Sequence, residues 1–324
     1  MDSTHSENAT TTAEFDQDYF NRIRKLERDS LISVHWELKI ILYLGVLLLT
    51  TGLGIIVYKN IDTIGHQVIV AFIALLSAAS FFYCFKTKTP FSYKKIDAPN
   101  QFFDYVLLLG CLSFVSLIAY LQFEYTLFGN RFGLASLIPL VVLFFSAYYY
   151  DHLGVLSLAI TNLAAWAGIT VTPTRILKDN DFNSDSIIFT GLALGVLLVL
   201  ASIASKRRSI KAHFEFTYAN FGTHSLFISC LAALFNFEKT YLLWFVLLLS
   251  ICWFYYKKAL SEKSFYYMLL LTIYGYIGVS YVVIRLMFFS ENVLGILPAF
   301  LYFIASALGM IAFLISMNKK LKSI

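Results

Sequence analysis

The chain has 324 residues, of which 59% are hydrophobic and only 14% charged, against roughly 45–50% apolar and about 25% charged in a soluble domain. One soluble core of this length cannot hide that much apolar surface, so lipid must solvate a large part of it. The net charge of +5 is small, and by its distribution it reads as an orientation signal and an attraction to anionic lipid headgroups, not as a nucleic-acid footprint.

Residues 1–13 (MDSTHSENATTTA) have the Thr- and Ser-rich composition of a disordered polar tail. A short amphipathic helical stub is predicted over 14–37, where Phe15, Tyr19, Ile23 and Leu26 recur at helical spacing with Arg22, Arg24, Lys25, Glu27 and Arg28 outside the stripe. Asp29 and Ser30 break that run. Ser33 is the predicted N-cap of a helix that carries Trp36 into the first span. The stub has the pattern of a helix lying on the membrane or the bundle, or of a docking site for a protein partner. Because no basic stretch leads directly into an apolar one, no cleavable signal peptide is expected, and the first helix itself should direct insertion.

A membrane-crossing helix needs about 20 mostly apolar residues. Ten windows qualify: 38–58, 64–85, 102–121, 132–149, 153–172, 187–205, 214–235, 240–256, 264–288 and 294–317. Only Tyr150, Asp151 and His152 separate the fourth from the fifth, and the first half of the seventh is polar. The runs are continuous instead of alternating, which argues against a β-barrel. The longest connections are 86–101, with Pro90 and Pro99, and 173–186, rich in Asp and Asn; a basic tail, 318–324, closes the chain.

The lysines and arginines alternate with the gaps. Eighteen of the 25 lie before the first window or in every second gap after it, among them Lys86, Lys94, Lys206, Arg208, Lys257 and Lys320, whereas the opposite gaps hold five. Basic residues in short loops are retained in the cytoplasm, and one miscounted helix would scramble the pattern. The predicted fold is therefore all-α: a polytopic transmembrane helix bundle of about ten spans over 38–317, with both termini inside. An inverted repeat of five plus five helices is compatible with that count, but Pro139 and Pro298 interrupt non-corresponding helices and no internal match is found. Cys84, Cys111, Cys230 and Cys252 all fall in or at the ends of apolar windows without metal-ligand spacing. No disulfide, metal or cofactor is expected.

The stretch 38–77 (LKIILYLGVLLLTTGLGIIVYKNIDTIGHQVIVAFIALLS) pairs a Gly-bearing helix (Gly45, Gly52, Gly54) with a second apolar helix across a short turn at Asn60. Before it comes a charged stub ending in Leu31-Ile32-Ser33. This resembles a large group of bacterial predicted membrane proteins classed as a domain of unknown function, whose hallmark is a stub with a Gly-Leu/Ile-Ile/Leu-Ser-like element and a Gly-rich hairpin with Asn-Trp at its outer turn. Ser30 stands here in place of the stub glycine and Ile61 in place of the tryptophan. The resemblance implies a multi-pass protein of the bacterial cytoplasmic (inner) membrane and carries over no activity and no site.

Polar groups inside a bilayer are costly, about 2.5–3.5 kcal/mol for a charge at its centre on insertion scales, so they are the best pointers to function. Arg285 shares a helical stripe, within about 40°, with Tyr281, Gly278, Tyr274 and Tyr267. That face has the chemistry to hold an anionic or aromatic solute; the plainer alternative is an arginine snorkelling to the headgroups above packed tyrosines. His213, Thr217, Asn220 and His224 share a face of the seventh window, with Glu215 beside it, and could relay protons or simply bond to neighbouring helices. Asn162 is placed at mid-membrane in the fifth. Asp151 is expected to cap the start of that helix, and Gly191-x-x-x-Gly195 to allow close helix approach. Gly-x-Ser-x-Gly, His-Glu-x-x-His and nucleotide-binding loops are all missing. Three functions follow in order: a small-solute transporter or permease, a non-catalytic membrane scaffold or regulatory subunit working through the stub and basic loops, and an intramembrane enzyme acting on lipid.

Overall fold

A computed structural model of the chain describes residues 34–59, 65–100, 102–171, 185–287 and 296–323. The tail, the amphipathic stripe of the stub, the Ser33 cap and nearly all of the 173–186 connection lie outside them. Each of the ten windows carries an α-helix: α1 (Val34–Lys59), α2 (His66–Thr87), α3 (Phe103–Tyr125), α4 (Phe132–Tyr150), α5 (Leu153–Val171), α6 (Asp185–Arg208), α7 (Glu215–Asn236), α8 (Tyr241–Ser261), α9 (Phe265–Met287) and α10 (Ile296–Ser323). No strand occurs among the described residues. Helices are what lipid demands, because each satisfies its backbone polar groups within itself.

Eight of the ten, α2–α6 and α8–α10, are long and apolar enough to cross a membrane. The apolar stretch of α1, Ile40–Ile56, is shorter. The other exception, α7, has Glu215, Thr217, Asn220, Thr223 and His224 in its first half, which pulls its composition below that of a free-standing span.

The chain divides into two compact units, one of 1–87 with 99–117 and one of 88–98 with 118–324. In the first, Tyr43 of α1 meets Tyr105 of α3 edge-on at 5.2 Å, and Ser77 Oγ of α2 donates to the Gly110 carbonyl of α3 at 3.2 Å. The approach is close because residue 110 lacks a side chain: a Cβ there would sit 2.9 Å from Ser80 Cβ. Cys84 and Cys111 are buried. Gly45, Gly52 and Gly54 of α1 have no protein atom within 4 Å of where a Cβ would be.

In the second unit α6 and α7 are packed most tightly, through the glycine pair that the sequence singled out. A Cβ on Gly195 would meet the Leu226 backbone nitrogen at 2.8 Å, and one on Gly222 the Val199 nitrogen at 3.0 Å. Ser225 Oγ donates to the Gly191 carbonyl across the same seam at 2.7 Å. Phe227, Leu231 and Leu234 of α7, Leu248 and Tyr255 of α8 and Met268 of α9 close the core.

Helix ends of this unit meet in two sets. At one end Ile96 reaches Asp151, Lys211 reaches Tyr93 and Lys206 lies 3.4 Å from Glu262. At the other, Asn236 Nδ2 donates to Asp185 at 2.8 Å and Arg285 reaches Glu238. Helix α7 runs from the first set of contacts to the second despite its polar half.

Candidate functional site

Asn220 and His224 are four residues apart, one turn along the same face of α7. Opposite them α9 places Tyr266 and Tyr274. The Tyr266 hydroxyl donates to Asn220 Oδ1 and lies 3.2 Å from His224 Nε2. Tyr274 Oη is 2.7 Å from His224 Nδ1. A hydroxyl has one proton to give. Because Tyr266 gives its proton to Asn220, it must accept from His224, which puts the imidazole proton on Nε2 and leaves Nδ1 to accept from Tyr274. The result is one directed chain: Tyr274 to His224 to Tyr266 to Asn220. Both tyrosines are braced by rings, with Phe227 stacked on Tyr274 at 4.8 Å and Phe216 beside Tyr266 at 5.8 Å.

Two expected stripes are divided by the tertiary structure. His213 stands in the 3-10 turn Ala212–Phe214 before α7 and bonds to Asp151 instead of joining Asn220 and His224; Thr217 remains on α7, half-buried. On α9, Tyr274 belongs to the His224 chain. Arg285 instead donates to Tyr281 Oη at 2.8 Å and to the Glu238 carbonyl at 3.3 Å, with its guanidinium 4.6 Å from the centroid of the Tyr241 ring. The Gly278 notch between them is not open to a solute, because Leu248 of α8 fills it. Asn162 of α5 joins neither network: its Oδ1 is buried with no hydrogen-bond partner among the described residues.

Asp151 corrects the sequence reading most. It does not cap α5; His152 does, with Nδ1 accepting from the Val155 N–H at 3.0 Å. Asp151 instead ends α4 in the left-handed conformation, φ +60°, which Asp tolerates better than most residues, and this turns its carboxylate inward. One oxygen lies 3.2 Å from Lys211 Nζ and 2.6 Å from His213 Nε2; the other accepts from the Ile96 N–H at 2.5 Å. Both the Asp151 and the Lys211 side chains are fully buried. An isolated buried charge is prohibitively costly, so the pair is sustained by each other and by these hydrogen bonds. The sequence offered one clue: Lys211 stands apart from Lys206–Arg208, between Ile210 and Ala212. Among the described residues no group of three or more His, Cys, Asp or Glu is arranged to hold a metal ion.

Ten α-helices among the described residues, eight of them long and apolar enough to cross a membrane, define a multi-pass α-helical membrane protein. Residues 10–156 match the family of predicted membrane proteins DUF2157, an uncharacterised family. The Gly-bearing hairpin lies within this region, and so do α4, the 88–98 segment and Asp151; α7 and α9 lie outside it. No curated protein and no solved structure matches the chain.

Proposed function

We propose that this protein is a small-solute permease of a bacterial cytoplasmic membrane, with both termini in the cytoplasm and with protons moving along the Tyr274–His224–Tyr266–Asn220 chain. The observation that carries this reading is the single direction of that chain. His224 and Tyr266 each give one proton and receive one, so a proton arriving at Tyr274 releases one from Tyr266, whose hydroxyl must turn from Asn220 to shed it. Ionisable groups held within a membrane bundle are kept there for such work. The orientation rests on the excess of lysine and arginine at one end.

Purified protein in liposomes, screened against a solute library under an imposed pH gradient, tests the reading. Flux is expected in wild type and is expected to vanish in His224→Ala. Loss of two interhelical hydrogen bonds costs only about 0.6 kcal/mol each, so His224→Ala should melt close to wild type. Leu226 is unsuitable as a control because it packs on Gly195; Ile228, 56% exposed on the same helix, is the appropriate one, and Ile228→Ala should leave flux unchanged. Equal flux in the two variants would sink the assignment, and absence of flux from wild type at every gradient would favour the scaffold reading, in which the basic loops bind a protein partner.

The orientation has its own check. Reporter fusions after Asn60, Asn130, Asp181, Lys239 and Glu291 are expected outside, and those after Lys95, Arg208, Lys258 and Ile324 inside. Two adjacent reversals would mean that one helix, α7 above all, does not cross.

A further inference from the structure

The segment joining α2 to α3 is gripped by its backbone and leaves Phe91, Tyr93, Lys94 and Lys95 exposed, with Ser92 and Ile96 half-buried and the Phe91 ring centroid 5.3 Å from Lys211 Nζ. Lys211 N donates to the Tyr93 carbonyl at 2.8 Å, Lys211 Nζ to the Lys94 carbonyl at 3.4 Å, and Ile96 N to Asp151. The anchor is thus the buried Asp151–Lys211 pair, fixed to the ends of α4 and α7. What this fixed backbone displays is Phe91, 47% exposed, and Tyr93, 63% exposed, their rings edge-to-face at 5.3 Å, followed directly by exposed Lys94 and Lys95.

Apolar rings left in the open by a rigid backbone need a cover. The neighbouring charges indicate its sign. Arg207 and Arg208 at the end of α6 are exposed, and of the described acids at this end of the unit Asp151 is paired with Lys211 and Glu215 and Glu262 lie beside Lys206, leaving Asp97 as the exposed acid of the segment. The cover is therefore anionic and able to take aromatic rings. The headgroup layer of an anionic bilayer is both: tyrosine-type rings settle at headgroup level and lysines pair with lipid phosphates. It also needs no further partner, because α4 and α6, whose ends meet this segment, are long and apolar enough to cross a membrane.

We propose that residues 91–95 form an interfacial arm seated in the anionic headgroup layer at the basic end of the bundle, held at that depth by the Asp151–Lys211 pair. This does not depend on the permease reading. Ser92→Cys, labelled under native conditions with an environment-sensitive dye, reports the depth of the arm; the wild-type chain, whose Cys84, Cys111 and Cys230 are buried, is the blank. In nanodiscs of phosphatidylcholine mixed with phosphatidylglycerol the dye is expected to shift to the blue and to be quenched by lipid-borne quenchers. Phosphatidylcholine alone or high salt should weaken the effect. Lys94→Gln with Lys95→Gln, both surface changes, should reduce the preference for anionic discs by about 5-fold per charge removed. A dye that stays in water in both lipids overturns the proposal, as does burial indifferent to lipid charge and to the two lysines. Burial that appears only when soluble cell extract is added would make the arm a protein-docking segment and would overturn it equally.

Discussion

Asp151→Ala is expected to destabilise the protein by roughly 3–5 kcal/mol, the range for breaking one partner out of a buried ion pair. The Lys211 ammonium, fully buried with Asp151 as its counter-charge, would be left unpaired, and the Ile96 N–H would lose its acceptor. Alanine also resists the left-handed backbone at φ +60°, which adds about 1–2 kcal/mol. Asp151→Asn separates the two effects, because asparagine accepts that conformation and keeps an acceptor for Ile96 while removing the charge. Asp151→Asn combined with Lys211→Met should recover part of the loss, since a buried pair replaced by neutral groups of similar volume is often nearly neutral in stability. Thermal unfolding of the purified protein, followed by near-ultraviolet circular dichroism in one fixed lipid or detergent, gives the order. An Asp151→Asn variant as stable as wild type would show that the pair contributes nothing to the fold.

The second large effect is expected at the α6–α7 seam. Gly195→Ala places a methyl group 2.8 Å from the Leu226 backbone nitrogen. Backbone cannot rotate away, so the helices must part, at a cost of about 1–3 kcal/mol; Gly195→Leu should exceed that. At Gly191 the obstacle is the Ser229 hydroxyl, a side chain free to change rotamer, so Gly191→Ala should cost less. Gly54→Ala on α1 meets no protein atom and should leave the melting temperature near wild type. Comparing the three melting temperatures tests the order directly. If Gly54→Ala proves the most damaging, the close α6–α7 approach is not what these glycines provide.

The same physics explains which parts of this protein were legible beforehand. Ten helices could be located, their ends to within about six residues, because a continuous apolar run in lipid must satisfy its backbone within itself. Close packing at Gly191 and Gly195 was legible for a similarly local reason: two small residues one turn apart leave a groove whatever faces them. The role of Asp151 was not legible. Its partner His213 is 62 positions away, and the inward turn of its carboxylate depends on a left-handed backbone at the end of α4. Helix-face reasoning placed His213 with His224, but the 3-10 turn before α7 rotates His213 off that face. It placed Gly278 on an open tyrosine stripe, but α8 presses Leu248 into the space.

What the sequence by itself determined is the set of helices and the uneven share of basic charge among their connections. These follow from local composition, since in lipid a helix must satisfy its own backbone and a charge must stay near water. Which side chains meet was decided only by the tertiary structure. Between helices there is no strong hydrophobic force to set one rotation over another, so rotation is settled by small-residue seams and by a handful of long-range hydrogen bonds. The pairing of His224 with Tyr266 and Tyr274 depends on that rotation, and a turn of α7 or α9 by one residue's 100° would abolish it without changing a single local preference; the pairing of Asp151 with Lys211 depends instead on the left-handed end of α4 and on the turn before α7.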